Sequence, residues 1–143
     1  IMVEVYDIET LTGLYTYIGL DIDSKQLSKF VICKYQNDLK VFVEHLKQVK
    51  RQIGYNNLSF DSQVIEYILI NHQNWLDLSG EEVADIIYRY AQYCIDKSNN
   101  GGWGDYPEWK LTIPQLDLFK VWHFDNKAKM TSWIKNLAKY KPI

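Results

Sequence analysis

The chain has 143 residues, 47% of them apolar and 15% aromatic, enough to build one core and to exclude an intrinsically disordered chain. Its formal net charge of −2 is unevenly spread: ten basic and seventeen acidic side chains precede Leu118, and six Lys against the single Asp125 follow, an acidic body with a basic tail. No apolar run reaches membrane-spanning length, no signal-peptide pattern opens the chain, and Cys33 and Cys94 sit in apolar segments, so a cytoplasmic protein with two buried thiols is expected.

Met2 to Asp7 alternates and is rich in Val, which predicts a strand, and Leu14 to Leu20 and Leu27 to Tyr35 read the same way. Turn residues at Thr12-Gly13 and Asp21 to Ser24 join them into an antiparallel meander. From Asn37 the period lengthens, and Leu39, Phe42, Val43, Leu46 and Val49 fall on one helical face. Arg51 to Asn56 is a fourth short strand, followed by a helix with Ser59 as N-cap and Val64, Ile65, Ile68 and Leu69 as its buried stripe. Ser79 with Glu82 three residues on marks a capping box, and Val83, Ile86, Ile87, Tyr90, Ala91 and Cys94 form the apolar face behind it. Ser98 to Gly102 ends that helix and opens a loop through Trp103 and Trp109. Leu111 to Val121 contains a fifth strand, and Thr131 to Lys139 a short last helix. The order predicts an α/β fold in one domain, residues 1–143: a mixed five-stranded sheet, three antiparallel strands and then alternating helices and strands.

Asp7-Ile8-Glu9-Thr10 is the strongest chemical signal. Period two sends Asp7 and Glu9 to one side of the strand end. Two carboxylates there suit a hard divalent cation, which takes oxygen ligands and cancels their repulsion; a hairpin end rich in turn formers is the plainer alternative. Asp61 would lie in the first turn of the second helix, as a metal ligand or simply as an acid that suits the helix dipole. A strand next to the first would bring Asp61 toward Asp7 and Glu9.

Asp7-Ile8-Glu9, with Asn56-x-x-x-Phe60-Asp61 about fifty residues on, resembles the first two motifs of the DEDD-superfamily 3′–5′ exonucleases. The likeness is to proofreading domains of family B DNA polymerases and to stand-alone phage or bacterial exonucleases, and the element order matches their ribonuclease H-like fold. The resemblance implies a phosphodiesterase acting on single-stranded DNA 3′ ends with two Mg²⁺ or Mn²⁺ ions, and a polymerase or other replication protein as partner. It implies that Asp7, Glu9 and Asp61 are the catalytic and metal-binding carboxylates. Thr10, Asn56 and Phe60 would bind substrate, with Asn56 positioning the DNA end or bracing the loop and Phe60 packing beneath the site. Asp117 resembles an aspartate of the fifth strand that could brace the site. The family's last motif, a Tyr or His shortly before a final Asp, has no counterpart at the expected distance. His72 and Asp77 have the spacing but come too soon. The expectation is a domain truncated at its C-terminus, lacking its last helix and slow or inactive in cleavage.

The alternative is a non-catalytic ribonuclease H-like module that binds nucleic acid or protein. Trp103, Tyr106 and Trp109 admit two readings, a surface on which unpaired bases stack or aromatics that pin a long loop, and the second is preferred.

Overall fold

The structure, a computed structural model, describes residues 2–122. The expected helix at 131–139 and most of the basic tail lie outside the described residues. Alternating segments build β1 (Met2–Leu11), β2 (Leu14–Asp21) and β3 (Leu27–Cys33), a meander with Leu11 opposite Leu14 and Leu20 opposite Leu27. A two-residue strand β4 (Gln36–Asn37) folds back on β3. Then come α1 (Leu39–Leu46), β5 (Val49–Gly54), α2 (Asp61–Asn71), α3 (Gly80–Asn99), β6 (Gln115–Asp117) and α4 (Leu118–Trp122). The strands form one mixed sheet in the order β4-β3-β2-β1-β5-β6, with β5 parallel to both β1 and β6.

The α/β class is as expected, but the described sheet has six strands rather than five. The extra strand, β4, is too short to carry a period. Val49 opens β5 instead of closing the first helical stripe, and β5 stops at Gly54. The second helix starts at Asp61 with Phe60 in the cap position and no side-chain cap; the Ser59 hydroxyl donates to Asn56 Oδ1 instead, at 2.7 Å. The expected fifth strand shrinks to three residues because Asp117 Oδ1 accepts the N–H of Phe119 at 2.9 Å, as an N-cap does, and turns the chain into α4. The capping box of α3 forms as read, with Glu82 N–H on Ser79 Oγ at 3.2 Å and Ser79 N–H on Glu82 Oε1 at 3.1 Å.

The connection from β3 through α1 to β5 and that from β5 through α2 and α3 to β6 advance across the sheet in the same direction. Right-handed crossovers of that kind put all three helices on one face. Even positions of β1 (Tyr6, Ile8) and odd positions of β2 (Tyr15, Tyr17) meet Phe42, Ile65, Ile68, Ile87 and Ala91 in a single core. The Tyr17 ring lies 4.9 Å from Phe42 and 5.6 Å from Tyr6, so much of the aromatic content is core. On the opposite face Val5, Ile18, Leu20 and Leu27 remain exposed. Cys94 is buried as expected, but Cys33 is only half-buried; both thiols are free. Among the described residues no helix is long and apolar enough to cross a membrane.

Candidate functional site

The pairing of β1 with β5 ends at Val5–Ile53, while β1 continues against β2 with Asp7 opposite Ile18 and Glu9 opposite Thr16. Asp7 and Glu9 therefore sit in the second half of a ten-residue strand, not at its end, and beyond the reach of its parallel neighbour. Both are exposed and share the face that the described helices leave open. Thr10, half-buried and opposite Tyr15, lies on the other face of the strand.

Where β5 stops, the backbone of β1 loses its ladder partner. The loop 55–60 and the start of α2 occupy that position, and the Ile8 N–H donates to Asp61 Oδ2 at a long 3.4 Å. Asp61 is only 8% exposed. Burial, reinforced by the Asp7 carboxylate and more weakly by Asp117, pushes its carboxyl up to about 7 against the opposing Ile8 N–H. The phenols of Tyr6 and Tyr15 are raised well above their ordinary range by burial first and by the Asp61 charge second. Across the gap left by β5 the Asp7 charge thus reaches Asp61. Glu9 follows Asp7 on the same face.

Asp117, the last residue of β6 and opposite Gly54, is 4% exposed. Besides Phe119 it accepts the N–H of Asn56 at 2.8 Å and of Leu58 at 3.1 Å. With its oxygens committed to three backbone donors it holds the loop that leads to Asp61. Asn56 takes φ +57°, a left-handed conformation that Asn tolerates better than most residues, and its side chain ties to Ser59. Phe60 is half-buried against the core and also floors a cleft with Asn56, Ser59, Cys94 and Ile95. His72 lies in a short 3₁₀ turn after α2, and Asp77 follows it in the connection to α3.

A buried polar chain runs beneath the site and was missed from the sequence. Glu4, wholly buried, accepts from the Tyr17 hydroxyl at 2.6 Å and pairs with His45 Nε2 at 2.9 Å. Gln52 donates to the Tyr17 hydroxyl at 2.9 Å, and Gln115 donates to Gln52 at 2.8 Å. The Gln115 carbonyl oxygen then accepts from the Tyr6 hydroxyl and from Asn57 Nδ2, each at 2.7 Å. Burial and the Glu4 carboxylate push the Tyr17 phenol well above its usual range. Asn57, not only its neighbour Asn56, therefore anchors the loop. One signal was legible: Glu4 is an acid on the Tyr6–Ile8 side of β1, where alternation demands an apolar residue.

The loop aromatics divide differently from the expected pinning. Trp103 and Trp109 are exposed, while Tyr106, half-buried, is held through its backbone by Gln63. Glu66 secures the following turn by accepting from Thr112 N–H and Oγ1, each at 2.7 Å.

Asp7 and Asp61, the loop 55–60 and Asp117 lie where the parallel pairing of β1, β5 and β6 runs out on its C-terminal side, the region in which open α/β sheets bind ligands. Oxygen donors suit Mg²⁺ or Mn²⁺. Among the described residues no cluster of three or more His, Cys, Asp or Glu is arranged to hold a metal ion. Comparison with protein-family models, curated proteins and solved structures returned no match for this chain.

Proposed function

We propose that this chain carries the first two carboxylate motifs of a DEDD-superfamily 3′–5′ exonuclease on a ribonuclease H-like fold, and that it hydrolyses phosphodiester bonds at the 3′ end of single-stranded DNA. The observation that carries the reading is the Asp7–Asp61 pair: a buried carboxyl pushed up to about 7, with the Asp7 charge beside it. Such an uncompensated pair at the sheet's ligand-binding edge suits a dication better than it suits a fold.

Carboxylate oxygens are the donors that Mg²⁺ or Mn²⁺ takes. On this reading Asp7 and Asp61, with Glu9 brought in on binding, are the residues that would hold it, since the three do not form a metal-binding cluster among the described residues. When bound, the metal would supply neutralising charge and activate water for attack on phosphorus. The chain's own part is to hold the carboxylates. Exposed Asp7 and Glu9 face the side from which a strand can approach, and the Ile8 N–H orients Asp61. Asp117 and Asn57 keep the loop 56–60 rigid from below. Phe60 and Asn56 border a cleft beside the carboxylates, which suits contact with a terminal nucleotide. Asp117 is spent on the loop backbone and is not offered as a further ligand.

A 5′-labelled single-stranded oligonucleotide incubated with the protein and Mn²⁺ tests the proposal. A ladder shortening from the 3′ end, absent with Asp7→Ala, supports it. Full-length oligonucleotide in both lanes would remove the activity from this chain and favour a binding module of the same fold.

A further inference from the structure

The loop after α3 is fastened before Trp103 by the Gly102 N–H, which donates to the Lys97 carbonyl at 2.8 Å, and after it by Asp105 and Tyr106. Asp105 accepts from the Tyr90 hydroxyl at 3.0 Å, the Tyr93 hydroxyl at 2.9 Å and Lys97 Nζ at 2.7 Å. The Gln63 carboxamide donates to the Tyr106 carbonyl and accepts its N–H, each at 2.8 Å. Glycines flank the indole because the loop passes too close to α3 and α2 for anything larger. A Cβ at Gly102 would stand 2.9 Å from the Lys97 carbonyl oxygen, and one at Gly104 2.6 Å from the Gln63 carboxamide carbon. Between these anchors Trp103 is 86% exposed. A large apolar ring held in water by a tightly tied loop adds little to the core.

Trp103 lines one cleft and stands near a second. With Leu58, Gln63, Tyr106, Glu108 and Lys120 it lines one of about 320 Å³. On its other side a void of only about 20 Å³ shares the walls Ser59, Cys94 and Ser98 with a separate cleft of about 210 Å³ over Phe60 and Asn56, which Trp103 does not line. Ser59 is two residues from Asp61, at most about 7 Å of extended chain. The other exposed indole, Trp109, already has Lys110 Nζ over its ring at 4.9 Å.

We infer that Trp103 is a stacking platform for an unpaired base of the strand whose 3′ end lies at Asp7, Glu9 and Asp61. The inference rests on the exonuclease reading for the position of that end. An exposed indole accepts any base, because every base has a π-face, and Lys120, which shares the cleft with the opposing Glu108 carboxylate, is the cation there for a phosphate. The ligand is therefore single-stranded nucleic acid held without sequence preference, with the stacked base a few nucleotides upstream of the 3′ terminus.

Fluorescence anisotropy of labelled oligothymidylate, with Asp7→Ala protein in EDTA, reads binding with no cleavage. Adding Trp103→Ala raises Kd about tenfold or more, ~1.4 kcal/mol, whereas Trp103→Phe recovers most of the affinity and Trp109→Ala shifts it by less than about twofold. A single abasic spacer walked along the strand weakens binding only near the 3′ end, and Trp103→Ala erases that penalty. The melting temperature of Trp103→Ala stays close to that of its parent, since the side chain is 86% exposed. An unchanged Kd in Trp103→Ala, or a parent that does not bind oligothymidylate, overturns the inference. Trp103-dependent binding without any cleavage ladder from the wild type would leave the platform standing and sink the exonuclease reading alone.

Discussion

Replacing Asp61 by Asn keeps the acceptor that faces the Ile8 N–H and removes only the ionisation. An aspartyl carboxyl in the unfolded chain titrates near ~3.9. In the folded, metal-free protein burial and the Asp7 charge move Asp61 up to about 7. The folded state thus retains a proton that the unfolded state has released, and stability falls as pH rises between about 4 and about 7. Below that window the contribution is fully present; above it the wild type carries the whole penalty. Three pH units at ~1.4 kcal/mol each set an upper value of about 4 kcal/mol, and relaxation around the carboxylate would reduce it to roughly 2–4 kcal/mol. Urea denaturation at pH 4.5 and pH 8.5 in EDTA measures the difference. Asp61→Asn should match the wild type to within ~1 kcal/mol at the lower pH and exceed it by the larger amount at the higher, a melting difference of roughly 10 °C. Mn²⁺ at pH 8.5 should then stabilise the wild type and leave the variant nearly unmoved. A variant no more stable than the wild type at pH 8.5 would refute the argument that Asp61 is a buried, charge-opposed carboxyl.

Three further outcomes follow from the same geometry. Asp7→Ala removes the second cause of the raised Asp61 carboxyl, so it should gain stability above pH 7 in EDTA and lose the Mn²⁺-induced rise in melting temperature; a retained rise would place the metal elsewhere. Asp117→Ala leaves the N–H groups of Asn56, Leu58 and Phe119 without their acceptor, at a cost of about 3 kcal/mol once water re-enters. Hydrogen exchange at Asn56 and Leu58 should accelerate, and unchanged protection there would count against the brace. Glu4→Ala strips the acceptor from the Tyr17 hydroxyl and from His45 in a buried setting, and urea denaturation should show a loss of about 3–5 kcal/mol, far above the ~1 kcal/mol of an exposed ion pair.

Local pattern by itself determined the meander, the helical stripes, the Ser79–Glu82 capping box and the shared side of Asp7 and Glu9. Each of these depends on side chains two to four residues apart, whose geometry a regular backbone dictates. It also placed Asp61 behind a fourth strand whose pairing with the first would bring it toward Asp7, and β5 does pair with β1, in parallel. Only the tertiary structure decided which face of β1 stays open, because that depends on the direction of two crossovers, not on alternation. The burial of Glu4 and the polar chain from it to Asn57 depend on register across β1, β2, β5 and β6. Asp117 reads as one acid among many until folding brings its carboxylate to the backbone of Asn56 and Leu58, sequence separations of 61 and 59. Trp103 was legible as an aromatic in a loop, but its exposure follows from the Gly102 tie to Lys97 before it and the Asp105 and Tyr106 ties after it. Contacts over such distances carry no periodic signature, so the sequence named the carboxylates and the fold decided how they are held.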